Sequence, residues 1–456
     1  MPESRLNLGR TKMVRTKYLI IGNSAGGIGA AEAIREVDNQ GSLAIVSDEP
    51  YPAYSRPLIS EYLARGYPVE KMLFRPTDFY EKNNIQTFLG SKVERLDIDE
   101  HAIELGNGER IAWEKLLLAT GGLPIFPPIE GIRREGVFTF VTLNDAKAID
   151  QYLGRAARAV VIGGGLIGVS VTEALVKRGA EVTVVEMKER VLNTVLDEET
   201  SALEEEILRQ AGVKIVTSHT VVEMSSDSSK GGAVSNVALD DGSRIPCNLV
   251  IVAIGVVPRT ELVSGTGIKV NRGIVVDRYM ATSDPAVYAC GDVAEAYDFA
   301  YGDNRLTPIW PNAYLGGRVA GFNMAGTPTE YPGGTAMNSL KYFGLNIVSA
   351  GIVSPPDDSY EVLARKHDDI YHKVVLRDGI VVGMVFVGDI EKSGIVFSLM
   401  KDRVNANGFK QAIVADDFGL ASLPEERWRP GLEVPPSGLV STAVSLDQPE
   451  EMVMGE

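Results

Sequence analysis

The sequence contains few cysteines and few histidines. Among its 456 residues are two cysteines, Cys247 and Cys290, which lie far apart, and four histidines. Two isolated cysteines exclude a disulfide framework and a four-cysteine iron–sulfur cluster, and their spacing matches no metal-binding pattern. Because sparse cysteine suits a reducing compartment, we expect a cytoplasmic protein without a metal site of its own.

Long apolar runs and an excess of positive charge are also missing. The run YLII at 18–21 is too short for a signal peptide or a membrane span. The net charge of −16 argues against binding to nucleic acid or to an anionic membrane, and it permits docking onto a basic partner. What is present is a hydrophobic share of 45%, enough for a sizeable core, and a length that predicts about three domains.

Two segments of the sequence share one order of predicted elements. Residues 17–46 predict a strand, the glycine turn GNSAGG, a helix and a strand, and residues 158–186 repeat this order with the turn GGGLIG. Short alternating strands follow each repeat, and from about residue 330 a predicted hairpin and helix form a third unit. We therefore predict an α/β fold with two Rossmann-like dinucleotide-binding domains of the three-layer ββα type and a C-terminal α+β domain.

The first glycine turn, at 22–27, fits the pattern G-x-G-x-x-G with Ser24 at the second glycine position. Small residues there let backbone N–H groups approach a pyrophosphate at the helix N-terminus, and serine is small enough to be tolerated. Asp48 ends the next strand and is placed to bind a ribose hydroxyl pair, with Glu49 as the competing acid. Asp292 follows a later apolar strand, where its carboxylate can accept a hydrogen bond from a polyol.

The second glycine turn, at 163–168, fits the pattern at all three glycines. Glu186 ends the next strand about twenty residues on, where an acid binds the 2′-hydroxyl of NAD. A 2′-phosphate would be repelled there, so NAD is favoured over NADP, although Arg190 lies close by and softens that preference. Two such sites place two dinucleotides in one chain, and redox chemistry between them belongs to the cofactors and requires no catalytic side chain.

With these motifs in this order, residues 16–415 resemble the FAD/NAD(P)-dependent pyridine nucleotide–disulfide oxidoreductase superfamily. The nearer branch includes NADH oxidases, the flavin part of assimilatory nitrite reductases, and rubredoxin and ferredoxin reductases. The resemblance implies that the first turn binds FAD and that the second binds NAD, so that a hydride is exchanged between nicotinamide and flavin N5. It also implies a C-terminal interface domain, which forms homodimers in some branches and faces a protein partner in others.

The resemblance further implies which residues contact each cofactor. The segment YSRPLIS at 54–60 lies along the flavin, and AIG at 253–255 closes the nicotinamide site. The implied FAD-binding residues are Gly22, Ser24, Ala25, Gly27, Asp48, Arg56, Pro57, Val93, Thr120, Gly121, Gly291, Asp292 and Trp310. The implied NAD-binding residues are Gly163, Gly165, Leu166, Ile167, Gly168, Glu186 and Gly255.

The domain boundaries follow from these assignments. We expect a flexible lead, a discontinuous FAD-binding domain that encloses an NAD-binding domain, a C-terminal interface domain and an extended tail rich in proline and acidic residues. The predicted ranges are 1–15 for the lead, 16–145 and 265–330 for the FAD-binding domain, 146–264 for the NAD-binding domain, 331–420 for the interface domain and 421–456 for the tail.

The thiols used elsewhere in the superfamily have no counterpart in this sequence. Disulfide reductases carry a C-x4-C pair in the first helix after the FAD strand, and other branches carry one cysteine near the YSRPLIS segment. We interpret Cys290 as a small buried residue beside the FAD and Cys247 as structural. The four histidines, in surface-like contexts, receive no role.

Two further positions depart from the ferredoxin-reductase-like members, which pair a lysine with a glutamate near flavin N5. Glu61 and Ser170 stand at those positions here. No side chain is assigned as catalytic, but both are candidate tuning residues. The negative charge of Glu61 should lower the reduction potential of the flavin.

Electrons must therefore leave the flavin directly, and three functions stay open. The favoured one is an NAD(H):acceptor oxidoreductase that exchanges electrons with a redox partner protein or subunit, such as an iron–sulfur protein. The second is an NADH oxidase that uses dioxygen or a small acceptor. The third is an NAD-binding interaction protein in which the flavin senses the redox state.

Overall fold

A computed structural model describes residues 13–154, 158–226 and 232–425. The helices are α1 (Ala25–Val37), α2 (Ile59–Arg65), α3 (Val69–Met72), α4 (Phe79–Lys82), α5 (Leu143–Leu153), α6 (Leu166–Lys177), α7 (Glu198–Gln210), α8 (Trp310–Met324) and α9 (Ser393–Lys401). The strands are β1 (Val14–Ile21), β2 (Leu43–Ser47), β3 (Ile85–Leu89), β4 (Val93–Asp97), β5 (Ala102–Leu105), β6 (Arg110–Leu118), β7 (Gly122–Pro124), β8 (Val137–Thr139), β9 (Arg158–Ile162), β10 (Glu181–Glu186), β11 (Lys214–Thr217), β12 (Val221–Ser226), β13 (Val234–Leu239), β14 (Arg244–Pro246), β15 (Leu249–Val252), β16 (Val256–Pro258), β17 (Ile274–Val275), β18 (Val287–Ala289), β19 (Ala294–Asp298), β20 (Asp303–Arg305), β21 (Met337–Tyr342), β22 (Leu345–Gly351), β23 (Glu361–His367), β24 (Ile370–Arg377) and β25 (Ile380–Val387).

The first unit is built on a mixed sheet in the order β3-β2-β1-β6-β5-β4, to which β18 adds beside β6. Strand β1 pairs in parallel with both β2 and β6. Its residues 18–21 are all apolar and buried because helices and loops cover both faces of this sheet. A small sheet of β17, β19 and β20, from the later part of the chain, completes the unit.

Helices α1 and α8 approach each other closely in the first unit. A Cβ atom on Gly317 would lie 2.0 Å from the carbonyl oxygen of Gly26, and one on Gly321 would lie 2.4 Å from that of Ala30. Glycine is therefore required where the two backbones meet. The contact brings the N-terminus of α8, at Trp310, to the same end of the sheet as the first glycine turn.

The second unit is a parallel sheet in the order β11-β10-β9-β15-β8, with a separate antiparallel sheet of β12, β13 and β14. Strand β8 (137–139) pairs with β15 of this sheet, although our predicted boundary assigned residues up to 145 to the first domain. The two units are joined by a ribbon in which β7 pairs with β16. This pairing favours a boundary at the ribbon, near residues 124 and 256, in place of 145 and 264.

The third unit is an antiparallel sheet in the order β21-β22-β25-β24-β23, with α9 packed on one face through Val396 and Leu399. The sequence NSLKYFGLNIVSAG forms two strands, β21 and β22, joined as a hairpin. The face of this sheet that is opposite α9 packs on the second unit. There Lys373 and Tyr371 donate to the buried carboxylate of Asp197 at 2.8 Å and 2.9 Å. Asp197 also caps α7, so a side chain at a helix start fastens the two units together.

The ends of the described chain refine two predicted boundaries. Strand β1 starts at Val14, inside the predicted lead, because Val14 and Arg15 pair with β6. Residues 1–12 and 426–456, which hold most of the predicted lead and tail, lie outside the described residues, as does the loop tip at 227–231. Leu423, in the predicted tail, packs in the core of the third unit. Across the described ranges, no helix has the length and apolarity that crossing a bilayer needs.

One prediction about the histidines is wrong. His372 is 4% exposed, lies against the ring of Phe386 and places Nε2 2.8 Å from the carbonyl oxygen of Asp389. It is buried because β24 lies inside the third sheet, between β25 and β23.

Candidate functional site

One cleft of about 1660 Å³ opens between the three units and contains both glycine turns. Its volume exceeds the roughly 300–1,000 Å³ typical of a site for a single small molecule. The predicted residues that line it are Gly22, Ser24, Ala25, Asp48, Arg56, Pro57, Val93, Thr120, Gly121, Gly291, Asp292 and Trp310 from the first set, Gly163, Gly165, Leu166, Ile167, Glu186 and Gly255 from the second, and both Glu61 and Ser170.

Two predicted residues, Gly27 and Gly168, do not line the cleft. A Cβ atom on Gly27 would lie 2.0 Å from the carbonyl oxygen of Gly22, and one on Gly168 would lie 1.9 Å from that of Gly163. These glycines let each helix pack closely on the turn that precedes it, which is the part the third glycine plays in this motif. The geometry supports packing roles for both in place of the predicted cofactor contacts.

The first glycine of each turn is required by the protein itself. Gly22 and Gly163 have φ angles of +124° and +102°, and a Cβ atom would lie 2.1 Å from the carbonyl oxygen of Ala119 or 2.5 Å from that of Ala253. At Gly165, in contrast, a Cβ atom would meet no protein atom within 4 Å and would enter the cleft. The same space explains why Ser24 is tolerated at the matching position of the first turn.

Asp48, the acid after the first glycine turn, faces the cleft, and one of its two carboxylate oxygens accepts a hydrogen bond from another side chain. Asp48 has a side chain 42% exposed, and its Oδ2 accepts a hydrogen bond from Arg259 Nη1 at 2.8 Å. The competing acid, Glu49, is committed elsewhere, since it accepts from Tyr54 Oη at 2.6 Å and from Arg56. Asp48 therefore remains the better candidate for the ribose contact.

Arg56 is held at the flavin end of the cleft by neighbours that the sequence did not reveal. It contacts Glu49 and the carbonyl oxygen of Val141, and it faces the ring of Tyr54. Burial alone would lower the pKa of Arg56, but Tyr54 and Glu49 outweigh it and raise that pKa. Burial raises the pKa of Asp292, and the charge of Arg56 partly opposes this shift.

The acid of the second turn is buried and fixed by backbone donors. Glu186 is 8% exposed, and its two oxygens accept hydrogen bonds from the N–H groups of Gly164 at 2.6 Å and Lys188 at 2.8 Å. Each carboxylate oxygen has a further lone pair that can accept from a ribose hydroxyl. Arg190, expected to soften the preference for NAD, does not line the cleft, whereas Lys188 does.

The candidate tuning residues lie on helices that pack together. Glu61 on α2 and Ser170 on α6 both line the cleft, so the chain brings them to the same space from separate units. The side chain of Glu61 is 37% exposed and forms an ion pair with Arg65 at 3.3 Å, one turn further along α2. A neighbouring cation therefore offsets part of the negative charge that Glu61 presents.

Neither cysteine is prepared for thiolate chemistry. Cys247 and Cys290 are both free and buried. Burial raises the pKa of each thiol to about 12. The thiolate is the reactive form of cysteine, and it is scarce at neutral pH when the pKa lies this high.

Sequence patterns did not identify two parts of the cleft wall. One is Arg259, which follows β16 and carries no motif of its own. The other is β21 of the third unit, whose residues 337–342 line the cleft. Only the tertiary structure brings either segment to the site.

The donors present fit two dinucleotides. Each turn presents a helix N-terminus with a small residue, Ser24 or Gly165, at the N-cap, and each is followed by an acid, Asp48 or Glu186, that lines the same cleft. A fold with two such turns on one cleft defines the class of flavoprotein reductases that take electrons from or give them to a nicotinamide dinucleotide.

Comparison with known proteins identifies the family. Residues 16–317 match the model described as pyridine nucleotide-disulphide oxidoreductase, and residues 337–404 match the rubredoxin NAD+ reductase C-terminal domain. The chain belongs to the pyridine nucleotide-disulphide oxidoreductase family. It is an FAD-dependent NAD(H):acceptor oxidoreductase, and the predictions of family, fold class and both cofactors are confirmed.

Relatives with named activities resemble this chain over most of its length. NADH-dependent phenylglyoxylate dehydrogenase subunit epsilon of Aromatoleum evansii is 32% identical over 421 residues, which cover 91% of this chain and 98% of that protein. Putidaredoxin reductase CamA of Pseudomonas putida is 36% identical over 289 residues, 62% of this chain and 68% of that protein.

Solved structures share the fold. The covalent putidaredoxin reductase–putidaredoxin complex matches with a TM-score of 0.81 and 26% identity over 91% of this chain and 98% of that one. A NAD-dependent persulfide reductase from A. fulgidus matches with a TM-score of 0.81 and 28% identity over 88% of this chain and 80% of that one.

Proposed function

We propose that this chain exchanges electrons between NAD(H) and a redox protein or partner subunit that carries an iron–sulfur or other one-electron centre. The observation that carries the proposal is the state of the two cysteines. Both are buried with pKa values raised to about 12, and the segment 54–60 beside the predicted flavin contains none. The electrons thus have no thiol on this chain to reach.

The nearly full-length similarity to a subunit of a dehydrogenase supports a more specific form of the proposal. We infer that the chain is the NAD-linked flavin subunit of a larger dehydrogenase complex. Within such a complex the physiological direction is toward NAD⁺, with electrons arriving from another subunit. The similarity to putidaredoxin reductase supports the same exit through a separate redox protein.

Each part of the cleft has a defined task in this proposal. FAD, when bound, exchanges two electrons with the nicotinamide. Glu186 orients the ribose of NAD through a carboxylate that the backbone already holds in place. Arg56 and Asp292 position the flavin end, where Trp310 closes the wall next to Phe74. These residues bind and orient, and none has to accept a proton for the exchange to occur.

Anaerobic reduction followed by exposure to air tests the proposal. We expect NADH to bleach the flavin absorbance near 450 nm under anaerobic conditions and air to restore it slowly. Fast reoxidation over many turnovers would instead indicate an NADH oxidase. Very slow reduction of every artificial acceptor would instead support the third function, an NAD-binding interaction protein in which the flavin senses the redox state. Bleaching by dithionite alone would indicate that NADPH is the donor, or that the flavin potential is low enough for electrons to pass only toward NAD⁺, the direction inferred for the complex. Adding NAD⁺ to the dithionite-reduced protein distinguishes these two cases.

A cysteine-free variant tests the thiol-independent route. Cys247→Ala with Cys290→Ala should keep the rate of NADH-dependent ferricyanide reduction within about twofold of the parent, since neither thiol takes part. Loss of turnover with FAD still bound would overturn this part of the proposal.

The cellular location and the oligomeric state are proposals as well. We propose a cytoplasmic protein, on the basis of its two unpaired buried cysteines. A homodimer through the third unit stays a prediction, which light scattering on the purified chain can check.

A further inference from the structure

Arg259 lies where the chain returns from the second unit to the first. Its backbone N–H donates to the carbonyl oxygen of Gly121 at 2.9 Å, and its own carbonyl accepts from Thr120 Oγ1 at 3.1 Å. Thr120 and Gly121 form the turn that we predict to contact FAD. Both backbone polar groups of Arg259, the N–H and the carbonyl, are therefore bonded to the FAD half of the cleft.

The guanidinium of Arg259 reaches into that half of the cleft. Its Nη1 contacts Asp48 at 2.8 Å across 211 positions of sequence, and its side chain is 20% exposed. Its Nε is buried and has no hydrogen-bond partner among the described residues, since the oxygen of Glu261 lies 3.6 Å away. A guanidinium carries five N–H donors, so several remain after the contact with Asp48.

Two other cations of this half of the cleft, Arg56 and Lys92, are each held by two side-chain contacts, whereas Arg259 makes one. Arg56 contacts Glu49 and the carbonyl oxygen of Val141. Lys92 donates to both oxygens of Glu94 at 3.1 Å. Arg259 thus retains unused donors beside Asp48, the acid expected to bind the ribose of FAD. Phosphate oxygens, which adjoin that ribose in the cofactor, are the acceptors that a guanidinium matches best.

We propose that Arg259 is a further FAD-binding residue, which contacts the adenosine diphosphate half of the cofactor while it holds the carboxylate of Asp48 toward the ribose. The contact with Asp48 uses Oδ2 and leaves Oδ1 for a ribose hydroxyl. Because Arg259 directly follows β16, the strand that leaves the second unit, the bound FAD also ties that unit to the first. The inference rests on the FAD half of the proposed site and not on the identity of the electron partner.

Binding of FAD and ADP to the apoprotein tests this inference. Arg259→Gln should weaken FAD binding about ten- to a hundredfold, as expected for loss of a hydrogen bond to a charged group. ADP, which lacks the flavin, should become a weaker competitor for FAD by the same factor. Arg259→Lys keeps the positive charge but loses the planar set of N–H donors of the guanidinium. Its affinity for FAD should therefore lie between those of the wild type and Arg259→Gln. Quenching of flavin fluorescence measures the FAD affinity of each protein without turnover, and its reversal by added ADP measures the ADP affinity.

Arg318 provides a matched control. It pairs with Glu36 at 2.9 Å across 282 positions, with a side chain 25% exposed, but it does not line the cleft. Arg318→Gln should change FAD affinity less than twofold. If the wild type, Arg259→Gln and Arg259→Lys do not differ from one another in their affinity for FAD or in their affinity for ADP, the inference is overturned. A wild-type apoprotein that binds no FAD would overturn the proposed function as well.

Discussion

The two dinucleotide-binding units hold their acids in opposite ways. In the second unit Glu186 is buried, and backbone N–H groups of its own unit fix both oxygens. In the first unit Asp48 is half exposed, and a side chain from the strand that leaves the other unit holds it. The second site is therefore preformed by local structure, whereas the first depends on the placement of both units.

The sheets around the two glycine turns also differ. In the first unit β6 pairs with parallel β1 on one side and with antiparallel β5 on the other, so the main sheet continues from its parallel strands into the antiparallel strands β5 and β4. In the second unit β12, β13 and β14 form a sheet of their own. The first unit is further closed by α8 on α1.

The largest expected effect separates the two turns. Gly165→Val should slow flavin reduction by NADH at least a hundredfold, because the Cβ position is free of protein atoms and the valine methyl groups would fill cleft space that the pyrophosphate needs. FAD content and reduction by dithionite should be unchanged. Stopped-flow absorbance measures the rate. Gly394→Ala, at an exposed helical glycine with free space, should behave as the parent; loss of FAD from Gly165→Val would mean that the two sites are not independent.

A buried acid beside the second site gives a pH-dependent difference. Glu204 on α7 is fully buried, and both its oxygens have no hydrogen-bond partner among the described residues. Burial, and then the charge of Glu173, raise its pKa from the ordinary 4.5 to about 8. Glu295 of the first unit, equally buried, accepts from two backbone N–H groups and an amide instead.

The folded protein thus keeps the proton of Glu204 between pH 4.5 and 8, where the unfolded chain has lost it. Unfolding then releases a proton, so the wild type should lose about 2 kcal/mol of stability relative to Glu204→Gln as pH rises from 6 to 8. Below pH 4.5 and above the folded pKa the difference should be constant. Chemical denaturation at several pH values measures it, with exposed Glu206→Gln as the control. A pH-independent difference would contradict the assignment.

Exchange of each acid for its amide sharpens the comparison further. Glu186→Gln should weaken NADH binding about tenfold and narrow the preference over NADPH, because an amide cannot accept from both backbone donors. Asp48→Asn should leave NADH binding unchanged and lower FAD affinity instead. Titration of each ligand measures both effects. An effect of Asp48→Asn on NADH as large as that of Glu186→Gln would show that the two sites share one response.

The smallest expected effect concerns the wall between the sites. Glu61→Lys should raise the flavin reduction potential by roughly 20 mV, somewhat under 1 kcal/mol for a two-electron couple. The side chain is 37% exposed and paired with Arg65, so solvent and the neighbouring charge screen it. Dye-coupled reductive titration measures the potential. An unmoved potential would remove Glu61 from the tuning residues.

Local pattern predicted the parts of the site that local structure builds. Both glycine turns and the acids after them follow from strand, turn and helix spacing, and Asp292 follows from its place after an apolar strand. Arg259 could not be predicted in this way because its contact with Asp48 spans 211 positions. Glu204 lies in the acidic segment EETSALEEEILRQ, which is typical of an exposed helix; packing in the folded molecule buries it.

The ribbon of β7 and β16 has a consequence for how this chain can change. Leu123 and Val257 are direct partners in it, so the polypeptide enters and leaves the second unit side by side. A segment with adjacent ends can be replaced without changing the path of the chain on either side of it. The nicotinamide unit is in this respect a cassette. We expect that the whole segment between Leu123 and Val257 can be exchanged for one of another donor preference, with the core of the first unit left as it is.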